Sequence, residues 1–313
     1  MASSKYVRLG LLFLVAAHAG RVSAEPQGFS VERFYPSAPG GGWLVMDDLD
    51  FRDGLGGDLS LTLGYANNPL RLTSGVNRVA VVSDEVTADV GAAISFNAWR
   101  FYLNFDSPLA IRGQSGTVSG HVFTAPSLSV GTNPDGISDV RVGTDVRVLG
   151  GPASPFRLGA SAQLFIPFGD RGDYDTDGTF RAMLRALVAG DRGSFTYAAH
   201  LGVHIRPLDD SPTPGSPAGS ELVFGAAGGI MVPVRCWTAV IGPELYGATA
   251  FRSLFGSDRT ALEGLLSGRV EGPIDGKRSI RIKLGVGAGL HQEFGAAEWR
   301  VVVGIEIFNR SRP

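Results

Sequence analysis

Residues 137–149 read ISDVRVGTDVRVL, and apolar and polar side chains alternate along them. In an extended chain successive side chains point to opposite faces. Val140, Val142, Thr144, Val146 and Val148 therefore share one face, and Asp139, Arg141, Gly143, Asp145 and Arg147 the other. The same period of two runs through 155–168 (PFRLGASAQLFIPF) and 193–206 (GSFTYAAHLGVHIR). It recurs in 58–65, 85–97, 99–105, 179–188, 221–232, 261–271, 279–290 and 298–308.

Several of these runs extend to about ten to thirteen residues, beyond the five or six usual in soluble strands and close to what a tilted strand needs to cross a bilayer. One face of each is apolar throughout; the other is Gly, Ser, Thr and charges of both signs. A sandwich of two sheets would place a Lys-rich face outward, yet of the 28 basic residues 25 are Arg and only three are Lys. The pattern predicts an all-β fold, a transmembrane antiparallel up-and-down β-barrel of about 12 strands, apolar outside and polar inside.

Connections alternate between short ones (97–98, 150–154, 190–193, 234–235, 272–277) and longer ones (107–137, 168–177, 207–220, 251–258, 291–297). Membrane barrels keep short turns at the periplasmic end and long loops outside. This assignment puts both chain ends in the periplasm. Phe96, Trp99, Phe156, Phe195 and Trp237 then mark the periplasmic rim, and Phe168, Phe180 and Trp299 the outer one, as two interfacial aromatic belts.

Three domains follow. Residues 1–24 carry Lys5 and Arg8, an apolar run at 9–20 and Val22-Ser23-Ala24, the pattern of a signal peptide cleaved after Ala24. Residues 25–56 are too apolar for a free tail and too rich in Pro and Gly for a helix, and are expected either to plug the lumen from the periplasmic mouth or to form a short strand at 43–46 beneath the barrel. Residues 57–313 are the barrel. The acids Asp47, Asp48 and Asp50 are candidates to pair with inward Arg residues.

The segments 29–72 (FSVERFYPSAPGGGWLVMDDLDFRDGLGGDLSLTLGYANNPLRL), 138–150, 165–180 (FIPFGDRGDYDTDGTF), 241–251 (IGPELYGATAF) and 294–308 (FGAAEWRVVVGIEIF) together resemble the N-terminal β-barrel of OmpA family outer membrane proteins of the myxobacterial type. The resemblance implies an outer-membrane location in a Gram-negative envelope. In that family a peptidoglycan-binding domain commonly follows the barrel; here the sequence ends at Pro313, so a barrel lacking that domain is expected and wall tethering is not carried over.

Chemistry is sought in the lumen. Predicted lining residues are Arg141, Asp145, Arg147, Arg157, Arg181, Arg185, His200, His204, Arg206, Glu244, Glu263, Arg281, Lys283, Arg300 and Glu306. Charges of both signs in a low-dielectric wall must pair or be hydrated, so they either cross-link a filled interior or line a narrow aqueous path. His200 and His204 lie about 13 Å apart on one strand face, too far to share a metal. The Asp173-x-Asp175-x-Asp177-Gly178 run opens like a calcium loop, but its twelfth position is Leu184 rather than Glu, and a solvated acidic loop is expected. No strand His faces outward beside a Ser and no Gly-x-Ser-x-Gly occurs, so no enzyme is expected. No cofactor or metal is expected, and a net charge of -2 argues against nucleic acid. The expected partners are outer-membrane lipid and lipopolysaccharide, the barrel-assembly machinery and small solutes. The expected function is a small-solute channel or transporter-like porin; the alternative is a structural envelope barrel with a closed lumen.

Overall fold

The computed structural model describes residues 28–51, 54–74, 77–118, 121–126, 136–152, 154–208, 219–256, 259–291 and 295–309. The expected signal peptide, 1–24, lies outside the described residues. Fourteen strands follow in chain order: β1 Leu55–Ser74, β2 Asn77–Phe96, β3 Trp99–Arg112, β4 Gly116–Val118, β5 His121–Phe123, β6 Val140–Leu149, β7 Arg157–Ile166, β8 Arg181–Arg192, β9 Phe195–Ile205, β10 Glu221–Val234, β11 Trp237–Ala250, β12 Thr260–Pro273, β13 Arg278–His291 and β14 Trp299–Asn309. Twelve of them close into one antiparallel barrel in which each strand bonds its chain neighbours and β14 returns to β1. The strands β4 and β5 form a separate two-stranded ribbon within the connection from β3 to β6.

The alternation read from the sequence decides the facing. Leu61, Val90, Leu184, Leu201, Ile241, Leu266 and Leu284 stand exposed on the outer wall, while Ser60, Asp89, Arg185, Glu244 and Lys283 are buried inside. A closed sheet leaves no unpaired edge, and an outward apolar belt around a charged interior is the build of a barrel that lives in a bilayer. No helix among the described residues is long and apolar enough to cross a membrane, so the crossing is by strands.

Some boundaries differ from the sequence reading. The β1 and β2 strands are twenty residues each, and β3 runs on to Arg112, so the connection expected from 107 begins later and contains the β4–β5 ribbon. The larger difference is topological. Residue 28 sits at the long-loop end, where the Gly28 carbonyl accepts from Arg171 Nε at 2.7 Å, whereas Asn309 sits at the short-turn end beside Asp58. The two ends of the described chain are thus at opposite mouths, because residues 28–51 run the whole length of the bore before β1 begins.

Candidate functional site: the occupied lumen

The descent of residues 28–51 can be followed contact by contact. Near the long loops, Val31 N–H donates to the Tyr174 carbonyl and Arg33 pairs with Glu221 at the start of β10. Midway, Leu44 and Val45 donate to the two carboxylate oxygens of Glu244 at 3.0 and 2.9 Å. At the short-turn end, Arg147 donates to the carbonyls of Leu49 and Phe51 at 3.0 and 2.8 Å. The expected strand at 43–46 beneath the barrel is not found; those residues are buried inside it, next to a single bridge between Gly42 and Asp47. Entry from the periplasmic mouth is also corrected, since the plug comes in from the long-loop end.

Pro36, Pro39 and the 40–42 glycines keep this segment from forming a ladder of its own, so its buried backbone groups need partners from the wall. Arg141 Nη1 meets the Pro36 carbonyl at 2.7 Å, Arg157 Nε that of Asp48 at 2.8 Å, Lys283 Nζ that of Trp43 at 2.9 Å and Arg206 Nη2 that of Ser30 at 3.2 Å. A guanidinium offers five donors in a fixed fork and so serves a carbonyl and a carboxylate at once, which gives the preference for Arg over Lys a physical reason.

Charge pairs add to these bonds. Asp47 of the plug lies 2.7 Å from Arg100 and 3.1 Å from Arg185, with both Asp47 and Arg100 side chains fully buried. Glu32 takes Arg300 in a two-pronged contact at 3.0 and 3.1 Å, and Arg300 also holds Glu263. Within the wall, Arg281 bridges Glu271 and Glu306, and Lys283 shares Glu306 at 2.7 Å. Arg100 and Asp145 are directly opposed across β3 and β6, so register alone delivers that pair.

The rest of the plug is apolar. Phe34, Trp43, Leu44, Val45 and Met46 form a core with Ala189, Ala198, Ala227, Val240, Tyr246, Leu265 and Val302 of the wall. Burying a side chain such as Leu44 or Met46 contributes roughly 1.5–3 kcal/mol. The inward glycines are sockets for it: a Cβ on Gly225 would overlap Met46, and one on Gly285 would overlap Leu44. A water-filled bore would leave its lining wet, whereas here most of the predicted lining residues and the plug side chains are nearly all shielded.

The acidic loop is not the solvated one expected. Asp173, Asp175 and Asp177 are buried, because the loop folds over the mouth and grips the start of the plug. Asp177 accepts from Ser30 N–H at 2.9 Å and from Arg206 at 2.6 and 2.7 Å. Burial pushes the Asp177 carboxyl up, but Arg206 and Arg181 outweigh it, and the group is held well below the usual carboxylate range.

Arg141, Asp145, Arg147, Arg157, Arg181, Arg185, His204, Arg206, Glu244, Glu263, Arg281, Lys283, Arg300 and Glu306 are all buried inside the barrel, and His200 is half-buried. The His204 ring packs edge-on against Tyr35 and at a tilt against Phe165. Phe96, Trp99, Phe156, Phe195, Phe168, Phe180 and Trp299 are exposed on the outer wall and Trp237 is half-exposed. Sequence reasoning did not single out Glu32 and Arg33, whose charged partners on the wall, Arg300 and Glu221, lie more than 180 residues away. Among the described residues no three His, Cys, Asp or Glu converge on a common ion position.

No protein-family model matches the chain, and no curated protein matches it. Solved structures do. The chain is similar to an outer membrane channel from Pseudomonas putida F1, with 13% identity, a TM-score of 0.49, and cover of 82% of this chain and 96% of that one. It is also similar to the NanC porin, with 10% identity, a TM-score of 0.44, and cover of 80% and 99%. A third is the monoaromatic hydrocarbon channel CymD, at 8% identity, a TM-score of 0.40, and cover of 85% and 90%. By their descriptions these three are channels or porins, and this chain is a closed 12-stranded antiparallel membrane β-barrel.

Proposed function

We propose that the protein is an outer-membrane β-barrel of the channel type whose resting lumen is shut by its own residues 28–51, and that it passes small solutes only when that segment shifts. The observation that carries this reading is how the plug is held. Side chains of the wall bind it through hydrogen bonds and ion pairs at Arg33, Asp47, Leu44 and Leu49, attachments that water and solute groups can replace, rather than through a continuous β-ladder. On this reading outer-membrane lipid and lipopolysaccharide surround the outer belt, the barrel-assembly machinery inserts the protein, and residues 1–24 direct its export.

A second reading is favoured by the apolar core around Trp43 and Met46, which is packed like the interior of a soluble domain. It is a structural envelope barrel that stays closed, akin to the membrane half of OmpA family proteins. Single-channel recording in planar bilayers separates the two. Intact protein should be silent or open briefly, and a variant lacking 28–51 that still shows heat-modifiable migration should conduct steadily. A folded deletion variant that never conducts would reject the channel reading and leave the structural one.

A further inference from the structure

The outer, lipid-facing wall carries a hollow of about 600 Å³. Its floor is four small residues, Thr144 of β6, Ala160 and Ala162 of β7 and Ala186 of β8. Register makes them neighbours, Thr144 opposite Ala162 and Ala160 opposite Ala186. The same register continues the floor into a row, from Trp99 through Val146, Ala160 and Ala186 to Leu201. Because barrel strands are tilted, a row of paired residues climbs the wall. Trp99 is the first residue of β3, at a short turn, whereas Leu222, at the far end of the hollow, is the second of β10, at a long loop. Four strand steps of about 4.8 Å give a row of about 19 Å, longer than the about 15 Å of one hydrocarbon leaflet.

The loop after β11 stands at that upper end, where Phe251 N–H donates to the Ser220 carbonyl at 3.1 Å. It bends outward. The Phe255 ring lies 6.2 Å from that of Phe224, which faces out because its neighbour Val223 packs inward with Tyr35. Phe251, Leu254 and Phe255 are 43, 50 and 65% exposed, and Arg252 among them is exposed too. Three large apolar side chains shown within five residues are unfavourable against water and favourable against lipid. Hollow, belt and loop thus form one continuous surface with a cation at its outer edge. We infer that this surface is a site for one phosphorylated, multiply acylated glycolipid of the outer leaflet, a lipid A, with an acyl chain along Ala160, Ala162 and Ala186 and a phosphate on Arg252. Long loops face the outer leaflet, where lipopolysaccharide carries phosphates directly above its chains. A guanidinium fork matches phosphate oxygens and has donors for more than one partner.

The inference rests on the outer-membrane location proposed above, and not on conduction. Native mass spectrometry of the detergent-purified barrel, with folding checked by heat-modifiable migration, provides the test. The probes are bisphosphorylated lipid A, the same lipid after phosphate removal, and phosphatidylglycerol. One lipid A per barrel is expected, with the other two held about tenfold more weakly. Arg252→Gln should weaken lipid A by the same factor and leave the dephosphorylated lipid unchanged. Ala162→Phe, which fills the hollow, should weaken both. Arg278→Gln, an exposed arginine at the short-turn end, should change nothing. Equal retention of phosphatidylglycerol assigns the surface to a phospholipid and overturns the glycolipid. A folded intact barrel that holds no lipid A overturns the site, as does undiminished retention by either Arg252→Gln or Ala162→Phe. A protein without heat-modifiable migration in detergent or vesicles overturns the membrane reading itself, and this inference with it.

Discussion

Arg100 of β3 and Asp47 of the plug meet at 2.7 Å with neither side chain exposed, and the same guanidinium reaches Asp145 on β6. A wall residue is thereby shared between the barrel's own register and the chain that fills it. Asp47 also carries Arg185, at 3.1 Å. Removing it strands a buried cation whose remaining hydrogen bond among the described residues is to Ser161 Oγ at 3.2 Å. Asp47→Ala is expected to cost about 3–5 kcal/mol, the usual penalty for breaking a buried pair by deleting one partner. Urea unfolding of the lipid-reconstituted barrel measures it. Asp47→Ala/Arg185→Met should recover part of the loss, and a double variant as unstable as the sum of the singles would refute the coupling.

The glycine sockets predict a plug expelled by overlap. Gly285→Leu forces a side chain into the space of Leu44 and is expected to destabilise by about 1–3 kcal/mol. Protease should then cleave within 28–51 while the barrel stays intact. Restoring protection with Leu44→Ala in the same protein would identify the overlap as the cause.

Asp175 predicts a pH response with a defined sign. Burial first, then the neighbouring Asp173, Asp139, Asp106 and Asp170, push its carboxyl up from 3.8 to about 8. A folded value above the unfolded one means that stability is full below about pH 4 and is lost as pH rises towards 8. Thermal unfolding followed from about pH 4 to about pH 8 should show that decline, and Asp175→Asn should flatten it.

The two faces of the wall should fail for different reasons. Ile282, opposite Ile305 and Val270, is exposed near the middle of β13, and Ile282→Arg is expected to cost about 2–4 kcal/mol if it lies at the bilayer midplane. From the sequence, Arg at Gly143, Gln163 or Gly202 is expected to be better tolerated unless crowding intervenes. The structure shows that crowding: Gly143 lies against the Tyr102 ring, Gly202 against Leu184 and Arg185, and Gln163 donates to Tyr102 Oη at 2.7 Å. Gly143→Arg should therefore disrupt folding too, and truncating Tyr102 should relieve it but not Ile282→Arg. Folding yield in vesicles reads both.

The direction of the plug gives a topological prediction. Since Gly28 lies at the long-loop end, an epitope inserted between Gln27 and Gly28 should be reached by antibody on intact cells. One inserted after Asn309, at the short-turn end, should be reached only after the outer membrane is permeabilised. The reverse pattern would invert the barrel.

Alternation along 137–149 and its repeats was enough to give the antiparallel barrel, the strand number and the facing of nearly every wall residue, because a period of two is a local property that each strand carries alone. The aromatic rims follow from the same local pattern. Composition also held a clue to the filling: a lumen lined by Arg rather than Lys, with glycines on its inner face, provides donors and room for a second chain segment. Residues 28–51 were legible as something neither helical nor free. Their path was not, since it is set by pairs such as Glu32 with Arg300 and Arg33 with Glu221, separated by 268 and 188 residues. The burial of Asp173, Asp175 and Asp177 was hidden for the same reason. An acidic loop reads as solvated until Arg206 and the Ser30 N–H are brought to it, and only closure of the barrel around the plug does that.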